Sequence, residues 1–167
     1  MVTLRSFQLS DVPWLVRYLN HDEVTHHITD AIPSPYTEAD AHWWLDHSHS
    51  TTLIKAIDYE GQLVGCISAE VGDFEYNRSA ELGYWVGREH WNKGIATAAV
   101  HQFMKQLFEQ TDLVRLFVSV VSVNKASIRV LSKNGFSLDG ELKMASFRQG
   151  KFYDEQLWSL LKPEPLN

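Results

Sequence analysis

A strand, a tight turn and a long helix in immediate succession constrain this chain more than any other stretch does. Residues Glu81 to Glu109 read ELGYWVGREHWNKGIATAAVHQFMKQLFE. Glu81 to Gly87 alternates, with Leu82, Tyr84 and Val86 set against Glu81, Gly83 and Trp85, as a strand requires. The period then changes: Ala96, Val100, Phe103 and Leu107 recur at helical spacing, with Ala99 and Met104 beside them, which predicts an amphipathic helix. Between the two lies Trp91-Asn92-Lys93-Gly94-Ile95-Ala96-Thr97. A loop that opens a helix presents unpaired backbone N–H groups at the positive end of the helix dipole, and a glycine lets an anion approach them closely. Such a loop suits a phosphate. A single glycine before a helix is also an ordinary turn, and neither the P-loop pattern G-x-x-x-x-G-K-[ST] nor the dinucleotide pattern G-x-G-x-x-G fits the glycines present.

The rest of the chain reads as strands and helices around this unit. Val2 to Leu9 is expected as a first strand and Ser10-Asp11-Val12-Pro13 as a helix start, with Trp14, Leu15, Tyr18 and Leu19 as its apolar stripe. His21 to Thr29 reads as a short helical piece, and Thr37-Glu38-Ala39-Asp40 as the capped start of a helix to about His47. Thr51 to Asp58 and Gln62 to Val71 flank Tyr59-Glu60-Gly61 and predict a hairpin, with Glu81 to Gly87 as its third antiparallel partner. Val114 to Val123 reads as a strand and Asn124 to Asn134 as a helix closing at Gly135. Phe136 onward is another strand, and Arg148-Gln-Gly-Lys151 turns it into a last one, Phe152 to Leu161. Lys162 to Asn167 is expected to fray. The order predicts one α/β domain over residues 1–167, a mixed sheet flanked by helices, in a chain long enough to bury a core.

Charge and residue usage narrow the function classes. A formal net charge of −6 argues against a broad nucleic-acid footprint. No run approaches the roughly 20 apolar residues of a membrane span, and the N-terminus lacks a secretory pattern. The single cysteine, Cys66, cannot form an internal disulfide and reads as a buried small hydrophobe, so a reducing, cytoplasmic location is expected. Six of the eight histidines, His21, His26, His27, His42, His47 and His49, precede residue 50. Their spacings match no known zinc pattern, so surface histidines and no metal are expected.

The loop resembles the pyrophosphate loop of the GNAT superfamily of acetyl-CoA-dependent N-acetyltransferases, Q/R-x-x-G-x-G/A, read here as Trp91-x-x-Gly94-x-Ala96 with Trp91 replacing Gln or Arg. The Trp-x-Lys-Gly-x-Ala-Thr form is similar to the RimJ/RimL-type branch, named for ribosomal-protein N-termini. The resemblance extends to Glu81-Leu-Gly-Tyr-Trp-Val, to Asn124-Lys-Ala-Ser127-Ile-Arg-Val-Leu-Ser-Lys-Asn-Gly-Phe136, to Phe147-Arg-Gln-Gly-Lys-Phe-Tyr-Asp154 and to Trp158-Ser-Leu-Leu161. It implies a twisted mixed sheet with a splayed parallel pair, Glu81 to Gly87 and Val114 to Val123, that admits acetyl-CoA. The pyrophosphate would sit on the N–H groups of Asn92, Lys93, Gly94, Ile95, Ala96 and Thr97, with Lys93 or Arg88 adding charge. A backbone N–H near Trp85 or Val86 would polarise the thioester carbonyl, and Asn124 would bond the pantetheine arm. In the resembled family the N-terminal region covers the acceptor pocket, which makes Asp22, Glu23, His26, Trp43 and Trp44 candidates to shape it. Core packing is the rival reading for both tryptophans.

Acetyl transfer needs a neutral amine, and an alkyl ammonium has a pKa of about 10.4, so a base must take a proton at pH 7. Glu81 is the candidate, since partial desolvation would raise its pKa; a purely structural role, exposed or paired with an arginine, is the alternative. Many GNAT enzymes place an acidic tyrosine in a Leu-Tyr-x-x-x-Gly-Phe setting, where this chain has Leu131. By resemblance Ser127 replaces it as the acid toward the leaving thiolate, while helix capping explains Asn124 and Ser127 equally well. The expected activity is acetyl transfer to a primary amine, a protein or peptide N-terminal α-amine first. A polyamine or other small amine, or a non-catalytic acyl-CoA-binding module, are the alternatives. A homodimer is one possible assembly.

Overall fold

The alternation on either side of Gly61 folds back on itself. In the computed structural model, which describes residues 1–164, β2 (Ile54–Tyr59) and β3 (Gln62–Val71) pair antiparallel with Tyr59 opposite Gln62. Glu60 (φ 57°) and Gly61 (φ 87°) lie between them, a left-handed pair whose twist suits a two-residue hairpin. β1 (Val2–Arg5) adds antiparallel to β2. β4 (Ser79–Val86) lies antiparallel beside β3: the Gly87 N–H donates to the Val64 carbonyl at 2.8 Å and the Gly72 N–H to the Ser79 carbonyl at 3.0 Å. β5 (Arg115–Val121), β6 (Ser137–Arg148) and β7 (Lys151–Leu161) complete a seven-stranded mixed sheet hydrogen-bonded in the order β1-β2-β3-β4-β5-β7-β6. The expected α/β fold with a mixed sheet is the fold observed.

The chain divides into two compact units, one of Met1–Ser68 with Gly83–Ala99, the other of Ala69–Leu82 with Val100 onward. In the first, α1 (Val12–Leu19), α2 (Asp22–Thr25) and α3 (Glu38–His49) accompany β1 and β2. α3 starts in a capping box: the Thr37 hydroxyl accepts the Asp40 N–H at 3.3 Å and the Asp40 carboxylate accepts the Thr37 N–H at 2.7 Å. The core gathers Leu15, Tyr36, Ala41, Leu45, Ala56, Leu63 and Cys66, with Trp44 and Trp85 packed against it. Burial pushes the Cys66 thiol up, as befits an inert core residue.

Two expectations are corrected here. The first strand ends at Arg5, because its guanidinium turns to the carboxylates of Asp11 (2.8 Å) and Asp58 (2.7 Å). The helix expected from Ser10-Asp11-Val12-Pro13 does begin there, as α1, behind a 3-10 turn, Leu9–Asp11, in which the Asp11 carboxylate serves Arg5 and the Gln8 N–H (2.8 Å). Trp43 is 64% exposed and stacks on His47 at 5.2 Å, so the core reading holds for Trp44 alone of that pair.

The second unit continues α4 (Ile95–Gln110), whose Val100, Phe103 and Leu107 are buried, and adds α5 (Lys125–Lys133). β5 alternates, burying Leu116, Val118 and Val120. It pairs parallel with β4 and antiparallel with β7. β6 and β7 form a hairpin through Gln149 (φ 48°) and Gly150 (φ 78°). The tail expected to fray from Lys162 is tied there, its N–H donating to the Val114 carbonyl at 2.8 Å; residues 165–167 of that expectation lie outside the described residues.

Candidate active site

β4 is the strand that supplies the candidate groups, and it does so in both units. At its far end the chain passes through a 3-10 turn, Arg88–His90, and reaches α4 by way of Trp91 to Gly94. Asn92 (φ 60°) and Gly94 (φ 74°) are left-handed on either side of Lys93, a turn geometry that gathers backbone N–H groups into an anion-binding concavity. The first helical hydrogen bond runs from the Ala98 N–H to the Gly94 carbonyl at 3.0 Å. The N–H groups of Ile95 and Ala96 precede it at the positive end of a 16-residue helix. A Cβ built on Gly94 would meet nothing within 4 Å, so the approach to these donors is open. These features fit a pyrophosphate.

The base of the loop is fastened to the first unit. The Trp91 indole N–H donates to the Val86 carbonyl at 2.7 Å, which gives a physical use to the residue found where the resembled loop has Gln or Arg. Tyr18, buried in α1, meets His90 Nε2 at 3.2 Å, the Leu63 carbonyl at 3.1 Å and Gln62 Nε2 at 3.0 Å. Counting protons assigns the roles. The tyrosine hydroxyl donates its one proton to the carbonyl, so it accepts from both Gln62 and His90 Nε2–H. His90 Nδ1 is then a bare, buried acceptor with no hydrogen-bond partner among the described residues. Burial, and next Lys93, hold the His90 imidazole below its ordinary pKa. Gly87 is required beside this ring, since a Cβ there would lie 2.6 Å from Tyr18 Cδ1.

Trp85 and Val86 hold the backbone that the resemblance assigns to the thioester carbonyl. Trp85 packs edge-on to Tyr18 at 6.3 Å and against the core. β3 passes so close that a Cβ on Gly65 would lie 2.2 Å from the Trp85 carbonyl oxygen. Arg88, a candidate for added charge, instead gives its guanidinium Nε to the Glu23 carboxylate, whose pKa that bond lowers. Lys93 lies within the loop and makes no ion pair among the described residues.

Glu81 belongs to the second unit. The parallel ladder of β4 and β5 comprises Ser79↔Arg115, Ala80↔Leu116 and Glu81↔Phe117, and it ends there although β4 continues to Val86 and β5 to Val121. Glu81 is exposed as a whole residue, yet its carboxyl end is partly enclosed by protein. That enclosure, and then the charges of Glu70 and Glu155, raise its pKa, against the lowering effect of the Ser119 N–H that it accepts. Asn124 and Ser127 lie in the same unit: the Asn124 side chain caps α5 by accepting the Ser127 N–H at 3.2 Å.

The sequence reading missed Tyr18, Gln62, Gly65, His90, Ser119 and Glu155. Tyr18 sat unremarked in an apolar stripe, and the others signal nothing until strands are in register. Among the described residues no group of three or more His, Cys, Asp or Glu could hold a metal ion, and no helix is long and apolar enough to cross a membrane.

Residues 1–137 match the family model described as an acetyltransferase (GNAT) domain. An uncharacterized N-acetyltransferase of Bacillus licheniformis, p20, is 30% identical over 98% of this chain and 94% of its own length. The ribosomal-protein-serine acetyltransferase of Escherichia coli (strain K12) is 31% identical over 68% of this chain and 63% of its own length. Among solved structures, a ribosomal L7/L12 alpha-N-protein acetyltransferase, RimL, in complex with coenzyme A has a TM-score of 0.83 at 20% identity, covering 96% of this chain and 93% of that one.

Proposed function

The chain belongs to the GNAT acetyltransferase family, as an N-acetyltransferase that uses acetyl-CoA, and we propose that its acceptor is the α-amine at the N-terminus of a protein. The observation that carries this reading is the 31% identity with a ribosomal-protein-serine acetyltransferase. Chemistry favours the same acceptor. At pH 7 an α-amine of pKa about 8 is neutral in roughly one molecule in ten, whereas an alkyl amine of pKa about 10.4 is neutral in roughly one in 2,500. A carboxylate base such as Glu81 has far less work to do on the former.

Acetyl-CoA supplies an activated acetyl group. In the proposed division of roles the N–H groups of Asn92, Lys93, Gly94, Ile95, Ala96 and Thr97 bind the pyrophosphate, and Asn124 orients the pantetheine arm. The Trp85 or Val86 N–H meets charge developing on the carbonyl oxygen. Glu81 accepts one proton from the ammonium form of the acceptor, and the Ser127 hydroxyl relays a proton from solvent to the departing sulfur, regaining one as it gives one up. Residues 1–167 act as one domain in this reading, in the cytoplasm where such acceptors are made.

Turnover followed by mass spectrometry tests the acceptor with three amines: a peptide with a free N-terminal serine, the same peptide blocked at Nα but carrying lysine, and a polyamine. Acetylation of the free α-amine, with the blocked peptide and the polyamine far slower, is the expected result. Preference for the lysine peptide or the polyamine would overturn it.

A further inference from the structure

Ser119 stands between two carboxylates. Its hydroxyl donates to Glu155 Oε2 at 2.5 Å, and its backbone N–H donates to the Glu81 carboxylate. Strand register explains the arrangement. Glu81 is opposite Phe117 on β4 and β5, while Ser119 is opposite Leu157, and Val121 opposite Glu155, on β5 and β7. Residues directly opposed share a face of the sheet, and residues two apart on a strand share it too. Glu81, Phe117, Ser119, Val121 and Glu155 therefore point to one side, with Glu81 and Glu155 flanking Ser119. Glu155 is well enclosed, its side chain 14% exposed, and its other oxygen lies 3.9 Å from Arg148, 19% exposed.

We propose that Glu155 is a positioning residue for the acetyl transfer: fixed by Ser119 and Arg148 beside the Glu81 carboxylate, it governs the pH at which Glu81 can take the acceptor's proton. The inference rests on Glu81 as the base. In the proton step an N–H bond of the acceptor ammonium breaks and an O–H bond forms on Glu81, which later releases that proton to solvent. Glu155 makes and breaks no bond. Its negative charge opposes ionisation of Glu81 and so keeps that carboxylate a stronger base than an isolated one. Other charges face the pair. Glu70 on β3 acts in the same sense as Glu155. Arg115 on β5 is engaged by Ser79 and Asp139, and Arg148 opposes Glu155. Tyr153 and Lys151 follow on the same side of β7, with the Lys151 ammonium 5.3 Å from the Tyr153 ring centre.

The experiment is the pH dependence of kcat/KM for acetylation of a serine-starting peptide by four full-length proteins. Wild type should show an acid limb and Glu81→Gln should lack it. Glu155→Gln keeps an acceptor for the Ser119 hydroxyl but drops the charge, so the limb should move to lower pH. Arg148→Met leaves Glu155 uncompensated, so the limb should move to higher pH. A merely structural role for Glu155 would lower rates without moving the limb in opposite directions. A carbon-13 titration of the Glu81 carboxyl needs no turnover and should show the same opposite shifts; Arg148→Met alone decides the point if Glu155→Gln does not fold. If Glu81→Gln keeps the limb, the base assignment fails and this inference with it. If Glu81→Gln loses the limb while neither other variant moves it, Glu155 has no such role and the base assignment stands.

Discussion

Two glycines of this chain share a backbone conformation and an open setting, yet one is proposed to serve the cofactor and the other a hairpin. Gly94 has φ 74° and Gly61 has φ 87°, and a Cβ on either would meet nothing within 4 Å. Alanine at each should therefore cost the same. The left-handed conformation costs a residue with a Cβ about 1–2 kcal/mol, and the restricted unfolded chain returns about 0.4–1 kcal/mol. The net loss is about 1 kcal/mol, or about 2–4 °C in Tm for a chain of this size. Binding should separate them. A methyl group at Gly94 stands in the mouth of the N–H cradle, and loss of one hydrogen bond to a charged group, about 1.5–3 kcal/mol, weakens acetyl-CoA roughly ten- to a hundredfold. Gly61→Ala should bind as wild type does. Thermal unfolding followed by circular dichroism and calorimetric titration with acetyl-CoA read the two quantities separately. Unchanged affinity in Gly94→Ala would refute the cradle, and a much larger Tm loss there than in Gly61→Ala would refute the equivalence of the two backbones.

Three further outcomes follow from contacts around the loop. Tyr18→Phe removes a buried hydroxyl shared by Gln62, Leu63 and His90; urea unfolding should show a loss of about 1–3 kcal/mol with m unchanged, and an unmoved midpoint would contradict the network. Gly65→Ala drives a methyl group into the Trp85 carbonyl oxygen; overpacking of about 1–3 kcal/mol predicts a Tm lower by roughly 2–12 °C and slower turnover, and wild-type values for both would contradict it. His90 has a folded-state pKa below its unfolded value of 6.5, so the unfolded chain binds the proton more readily. Its contribution is full above pH 6.5 and is lost as pH falls through that value toward the lowered one. The Tm of wild type should thus drop more between pH 7.5 and 5.5 than that of His90→Gln, and parallel curves would exclude the effect.

What could be read from the sequence depended on the range of the interaction. Both left-handed hairpins, the Thr37 and Asp40 capping box and the helix after Gly94 are written in residues a few positions apart, and periodicity or turn chemistry exposes them directly. Asp11 shows where that local logic stops. Asp followed by Val-Pro reads as a helix start, and α1 does begin there, but no local pattern shows that the carboxylate goes to Arg5 six residues earlier, a guanidinium that Asp58 also engages across the sheet. The candidate site divides the same way. The loop is legible because one segment builds it, while the partners of Glu81 come from β3, β5 and β7 and become neighbours only once the strands are in register.

Glu81 has two readings, the proposed base and a structural residue, and at the end of the parallel ladder the two are compatible in one side chain. Beyond Glu81↔Phe117 the two strands no longer pair, yet β5 still carries backbone donors that need acceptors. The Ser119 N–H finds the Glu81 carboxylate. A carboxylate at this rung therefore satisfies the opening that an inserted ligand would use, and it places a proton acceptor there as well. Two substitutions pull the functions apart. Glu81→Gln keeps an oxygen for the Ser119 N–H and removes the base, whereas Glu81→Ala removes both. Both variants should lose the acid limb of turnover, but Glu81→Ala alone should melt below wild type and show faster amide exchange at Ser119. Equal stability of the two would deny the structural role, and an acid limb surviving in either would deny the chemical one.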